Sequence, residues 1–112
     1  QFKDAPIPKE SDNLWHLNHV KGTLRFNNGN NYHNISKIVF QYVENKTCLL
    51  NEFYILGKGR ASSKFMIMKT HYQREILFPS PVEVKTIYFK IISNNGNRRN
   101  TCIPNVRYYN RF

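Results

Sequence analysis

Acidic residues are scarce. Seven Asp and Glu stand against seventeen Lys and Arg, for a formal charge of +10 and a pI near 9.9. The carboxylates Asp4, Glu10, Asp12, Glu44, Glu52, Glu75 and Glu83 are scattered, and none lies in a motif that pairs a general acid with a general base. No stretch of about 18 apolar residues exists, so no segment reads as a membrane-spanning helix. The start has no apolar h-region, and Gln1-Phe2-Lys3 has no initiator Met, which suits a processed chain or an excised domain. Only Cys48 and Cys102 are present, enough for at most one bridge. The five glycines form no phosphate cradle, because Gly57-Lys58-Gly59 lacks the P-loop spacing and its helix. No segment keeps a 3.6-residue apolar period over three turns, so helices are not expected. No repeat, long linker or second domain is visible.

What remains describes a sheet protein. The 112 residues suffice for one domain with a real core. Hydrophobic residues make up 40% and aromatics 14%, many of them set among Ile and Val, which favours strands. Residues 1–13 are polar, carry Pro6 and Pro8, and read as an extended arm. Residues 14–112 read as one β-domain. Strands are expected at 20–26, 35–43, 48–56, 64–70, 73–78, 82–92 and 102–109. In the second of these, Ile38, Phe40 and Tyr42 share one face by alternation. Residues 64–70 and 73–78 would form a hairpin about His71 and Tyr72, and Pro79-Ser80-Pro81 would break the chain before the longest strand. The fold class is therefore all-β, an antiparallel sandwich of about 7–8 strands with Trp15, Phe40, Phe53, Ile87, Phe89 and Ile91 in its core.

The chemistry-bearing residues are few. His16 and His19 are three apart, a metal spacing only on a helix, and no third ligand is in view. Cys102 with His71 lacks any flanking nucleophile signature, so no metal, no cofactor and no catalytic residue is assigned. If Cys48 and Cys102 are bonded, the bridge stabilises by about 4 kcal/mol in the chain-entropy account; as thiols they are ordinary buried small residues. Asn34 and Asn45 head sequons and are glycosylation candidates. The cations are spread along the chain, which fits either an anionic partner or a merely basic surface. Arg98, Arg99, Arg107 and Arg111 recur near Tyr108, Tyr109 and Phe112, where guanidinium and ring could stack on sugars or bases, although nucleic acid is the less favoured partner.

The most informative stretch is 91–110. An apolar strand enters the loop Ser93-Asn94-Asn95-Gly96, and Thr101-Cys102-Ile103 opens a last strand that reaches Arg107. This layout resembles the closing strands of SUN domains. Asp12-Asn13-Leu14-Trp15, residues 22–26 with 35–43, and Asn51-Glu52-Phe53-Tyr54-Ile55-Leu56-Gly57 resemble earlier parts of that family in the same order. The resemblance spans about residues 12–110 and implies a jelly-roll, galactose-binding-like sandwich. It also implies a trimerising module of the nuclear-envelope lumen that grips a partner protein's tail. Homo-oligomerisation would follow from it. The family's Cys before Trp is Leu14 here, so Cys48 would have to substitute as the partner of Cys102. Where the family holds its ligand with a His and two Tyr, this chain departs and has Tyr42, Asn100 and Pro104, so the resemblance carries the fold further than the ligand.

The expectation is a non-catalytic binding module, lumenal (nuclear envelope or ER) or secreted. Its partner is a protein tail or, alternatively, a glycan or acidic polysaccharide met by basic loops. Ligands of such folds meet loops at one end, here expected to be 27–34, 57–64 and 94–100. Asn94, Asn97, Arg98, Arg99, Asn100, Lys58 and Arg60 are the candidate contacts. Ser93 and Thr101, with Trp15, Cys48 and Cys102, are structural.

Overall fold

The computed structural model describes residues 3–4, 9–11, 14–27, 31–61 and 63–110, with backbone alone at 3–4, 9–11 and 27. The expectations at Pro6, Pro8, Asp12, Asn13, Arg111, Phe112 and the tip of the 27–34 loop lie outside these residues.

Every described element is a strand: β1 (Lys3–Asp4), β2 (Lys9–Ser11), β3 (Leu14–Leu17), β4 (Gly22–Asn27), β5 (His33–Phe40), β6 (Glu52–Lys58), β7 (Phe65–His71), β8 (Glu75–Val84), β9 (Thr86–Ile91), β10 (Thr101–Pro104) and β11 (Val106–Tyr109). They form a five-stranded sheet in the order β1-β4-β9-β6-β7 and two three-stranded sheets, β11-β5-β8 and β10-β3-β2. All ladders are antiparallel. The all-β antiparallel sandwich is thus as the patterning implied. The strand segments exceed the expected 7–8 because the short β1, β2 and β3 precede the first expected strand, β1 pairing with β4 and β3 with β2 and β10, and the last strand is divided at Asn105 into β10 and β11.

The core follows from period-2 alternation. Leu24 and Phe26, Phe53 and Ile55, and Ile87, Phe89 and Ile91 face inward from the large sheet. Ile35, Ile38, Phe40, Ile76, Phe78 and Val84 meet them from the β11-β5-β8 sheet. Phe89 contacts Phe26, Phe40 and Phe53 with ring centroids 5.3, 6.0 and 5.4 Å apart, tilted or edge-on as ring quadrupoles prefer. Trp15 packs against this cluster half-buried, and the other expected core residues are at most 2% exposed.

Four local expectations are corrected. Pro79-Ser80-Pro81 does not end a strand, since β8 runs through it. Ile35 pairs with Val82 and Lys37 with Leu77, so the chain between Leu77 and Val82 bulges opposite Ser36, where a proline without N–H costs no ladder bond. The chain then bends at Lys85, so 82–92 divides between β8 and β9. Residues 64–70 and 73–78 are not a hairpin, because β7 pairs with β6 and β8 with β5, in different sheets. Finally, β5 ends at Phe40, and Tyr42 lies beyond it, 66% exposed rather than facing the core.

Pairing also fixes the two ends of the sandwich. Asn27, Lys58 and Thr86 align across the large sheet, and His33 pairs with Val84, so Tyr32, Arg60 and Lys85 gather at one end. Gly22, Phe53 and Ile91 align at the other, where Phe40 meets Val106. The segments 18–21, 41–51, 72–74 and 92–100 lie at that second end. The loops expected to share a rim therefore do not: 94–100 is at the end opposite the described residues of 27–34 and 57–64.

Candidate functional site

The second end is built by loop-to-loop bonding. Cys48 is bonded to Cys102 across a separation of 54 residues. Cys102 N donates to Cys48 O at 2.6 Å, and Leu50 N to Cys102 O at 3.0 Å. Asn95 N donates to Leu49 O and Asn97 N to Thr47 O, at 3.0 and 3.2 Å. Asn95 Nδ2 reaches Asn45 Oδ1 at 3.3 Å. The 41–51 and 92–100 segments thus hold each other, and the disulfide fastens the pair to β10.

Within 92–100 the asparagine side chains are occupied by the loop itself or by its neighbours. Asn94 Nδ2 donates to Asn100 O at 2.9 Å and to Thr101 Oγ1 at 3.0 Å, and its Oδ1 accepts from Gly96 N at 3.0 Å. Gly96 has φ +118°, a left-handed conformation that suits glycine. Asn97 Oδ1 accepts from Arg99 N and Asn100 N at 2.8 and 3.0 Å, an Asx-type turn. Asn100 Nδ2 stands 3.3 Å from His16 Nδ1, beside the disulfide. Asn94, Asn97 and Asn100 therefore shape the loop, while Arg98 and Arg99 are exposed. Thr101 Oγ1 donates to Val20 O at 2.7 Å, and Ser93 Oγ accepts from Glu52 N at 3.2 Å.

Beside this loop stands a feature that the sequence reading missed. The exposed ring of Tyr42 has the guanidinium carbon of Arg74 at 5.5 Å from its centroid. Arg74 Nε donates to Phe40 O at 2.9 Å, which pins the guanidinium at the end of β5. Gln41 N donates to Asn105 O at 2.7 Å, and Asn105 Nδ2 to Gln41 Oε1 at 3.3 Å. Tyr72 packs on Phe40 at 5.2 Å, and burial pushes its phenol above the usual tyrosine value, against a smaller opposing effect of Arg74. An exposed ring, a fixed guanidinium and amide groups thus converge on one edge. The signal available in sequence was the turn-forming Glu44-Asn45-Lys46 just after Tyr42, which argues that the strand has already stopped.

The first end holds the remaining candidates. Arg60 lies over the Tyr32 ring at 4.2 Å, with Lys85 at 5.8 Å, and Arg60 Nε donates to Glu83 Oε1 at 2.9 Å. That bond and charge raise the Arg60 value further. Lys58 is half-buried on β6. The sequon residues Asn34 and Asn45 are both exposed. Among the described residues, no group of three or more His, Cys, Asp and Glu is placed to hold a metal, and no helix is long and apolar enough to cross a membrane.

No family model and no curated protein matches the chain. Solved structures do. A family 32 carbohydrate-binding module from C. perfringens NanJ, in complex with galactose, matches with TM-score 0.70 and 15% identity over 87% of this chain and 76% of that one. The family 32 module of Streptococcus pneumoniae EndoD matches with TM-score 0.73 and 11% identity, covering 99% and 95%. The family 32 module of AlyQ, in complex with 4,5-unsaturated mannuronic acid, matches with TM-score 0.67 and 10% identity, covering 97% and 93%. At such identities the likeness shows the fold, a galactose-binding-like sandwich. The narrower kinship to SUN domains finds no support among these neighbours.

Proposed function

We propose that this chain is a non-catalytic glycan-binding module, and that it meets its ligand at the end formed by 41–51, 72–74 and 92–100. The observation that carries this reading is the pairing of the exposed Tyr42 ring with the pinned Arg74 guanidinium. A sugar presents an apolar C–H face and a rim of hydroxyls. A phenol ring covers the first, and guanidinium and amide donors bond the second. Arg98 and Arg99 on the adjoining loop favour a ligand that carries carboxylate or sulfate. Neighbouring folds seen with galactose and with an unsaturated mannuronic acid support a glycan over a protein tail. The disulfide suits an oxidising compartment, in keeping with a secreted or cell-surface location.

The test is a glycan array carrying neutral galactosides and uronate-bearing chains, probed with the intact chain and with Tyr42→Ala. Binding that Tyr42→Ala abolishes is expected. Failure to bind any glycan, with capture of a partner's C-terminal peptide instead, would restore the SUN-type alternative and end this one.

A further inference from the structure

The cations look dispersed along the sequence, but the five-stranded sheet collects a set of them. Core-facing residues on β4, β6 and β9 are Leu24 and Phe26, Phe53 and Ile55, and Ile87, Phe89 and Ile91, so the intervening residues face outward. Register then aligns Thr23, Lys90, Tyr54 and Lys69 in one row across four strands, and Arg25, Tyr88, Leu56 and Met66 in the next. Lys64 joins them, its Nζ 4.2 Å from the Tyr88 ring centroid, and Lys58 follows on the outward side of β6. Lys90 and Lys69 are two strand spacings apart, roughly 10 Å. Among the described side chains, Glu52 is the one carboxylate on this face. It stands 3.9 Å from both Lys69 Nζ and His71 Nε2. Lys37, on the β11-β5-β8 sheet, has a carboxylate at the same distance, Glu75 at 3.9 Å, whereas no described carboxylate stands within ion-pair distance of Lys64 or Lys90.

We infer that the outer face of the five-stranded sheet is a second binding surface, for a linear anionic polysaccharide bearing sulfate or carboxylate groups. Like charge held on one face repels itself unless a polyanion shares it, and each anion that binds releases counterions. The aromatics here argue against nucleic acid. Single-stranded binders bare their rings to stack bases, whereas Tyr88 is 7% exposed under Lys64, and half-buried Tyr54 has Lys69 over it at 5.7 Å. The rings serve as seats for the ammonium groups and leave charge on the surface. The disulfide also suits an oxidising compartment, outside the reducing cytosol and nucleus.

This surface is separate from the loop end proposed above, and its test stands apart from that one. Heparin is the probe. The intact chain is titrated with heparin over a range of salt, beside Lys64→Gln/Lys69→Gln/Lys90→Gln and, as control on the β11-β5-β8 sheet, Lys37→Gln/Arg107→Gln. The three lysines of the triple variant are exposed, and the thermal midpoint verifies folding. Expected are salt-sensitive binding by the intact chain, about tenfold weaker binding with a shallower salt slope in the triple variant, and no comparable loss in the control. A folded triple variant with unaltered heparin affinity overturns the surface. A single-stranded DNA oligomer that competes as well as heparin at equal charge overturns the polysaccharide assignment.

Discussion

Arg74 reaches Phe40 and Tyr42 at once: its Nε donates to the Phe40 carbonyl at 2.9 Å while its guanidinium carbon stands 5.5 Å from the Tyr42 ring centroid. The bond ties the β7–β8 connection to the end of β5 and sets the cation beside an exposed ring. Arg74→Lys keeps the charge but loses the planar fork and the Nε bond. It is expected to weaken glycan binding several-fold while moving stability by about 0.5–1.5 kcal/mol. Calorimetric titration against an array hit, paired with urea unfolding, separates the two effects.

The Cys48–Cys102 bridge closes a long segment that includes β6 to β9. Cys48→Ser/Cys102→Ser is expected to lower unfolding stability by about 2–5 kcal/mol. Because the bridge also fastens 41–51 to β10, just after the Arg98-bearing loop that bonds to 41–51, amide exchange at Asn95 and Asn97 should rise in the variant by more than at Phe89. Uniform change across these amides would mean that the bridge stabilises the fold without ordering the rim.

Two glycines test backbone constraint in different ways. A Cβ at Gly59 would lie 2.7 Å from Glu83 O, which is backbone and cannot swing aside. At Gly96 nothing lies within 4 Å, but φ is +118°. Gly59→Ala should cost about 1–3 kcal/mol through overpacking, and Gly96→Ala a similar amount through strain in the loop. Denaturant midpoints measure both, and only Gly96→Ala is expected to disturb the Arg98–Arg99 segment.

Tyr72 supplies a pH signature. Burial raises its value in the folded state, so above the unfolded value of about 10 the unfolded chain sheds the phenolic proton first. The folded state then binds more protons, and stability falls as pH climbs through that region. Tyr72→Phe should remove this part of the alkaline loss and leave the profile below about pH 9 unchanged. Urea midpoints of both proteins at several alkaline pH values give the difference directly.

Sequence patterning made the sheet faces legible where a strand is buried on one side, as with Ile87, Phe89 and Ile91. It failed where partners decide. Pro79 and Pro81 look like strand breakers until a bulge opposite Ser36 removes the need for their N–H groups. Tyr42 continues the alternation of Ile38 and Phe40, but the strand ends first. Which loops share an end depends on strand pairing, so Arg98 and Arg60 look like neighbours in purpose and lie at opposite ends. The disulfide was one of two open alternatives, since spacing alone does not bring Cys48 to β10. Arg74 carries no motif and acquires a role only because β7 and β8 lie in different sheets. The basic face was hidden for the same reason, because Lys64, Lys69 and Lys90 are far apart until register aligns their strands.

Glycan recognition at the Tyr42–Arg74 edge is tested most directly by amide chemical-shift mapping with an oligosaccharide selected on the array. Shifts concentrated at Tyr42, Arg74, Asn105 and the 97–99 segment, with the sugar recovered chemically intact, are the predicted result. Shifts absent from that edge, or a sugar returned cleaved or modified, would contradict it.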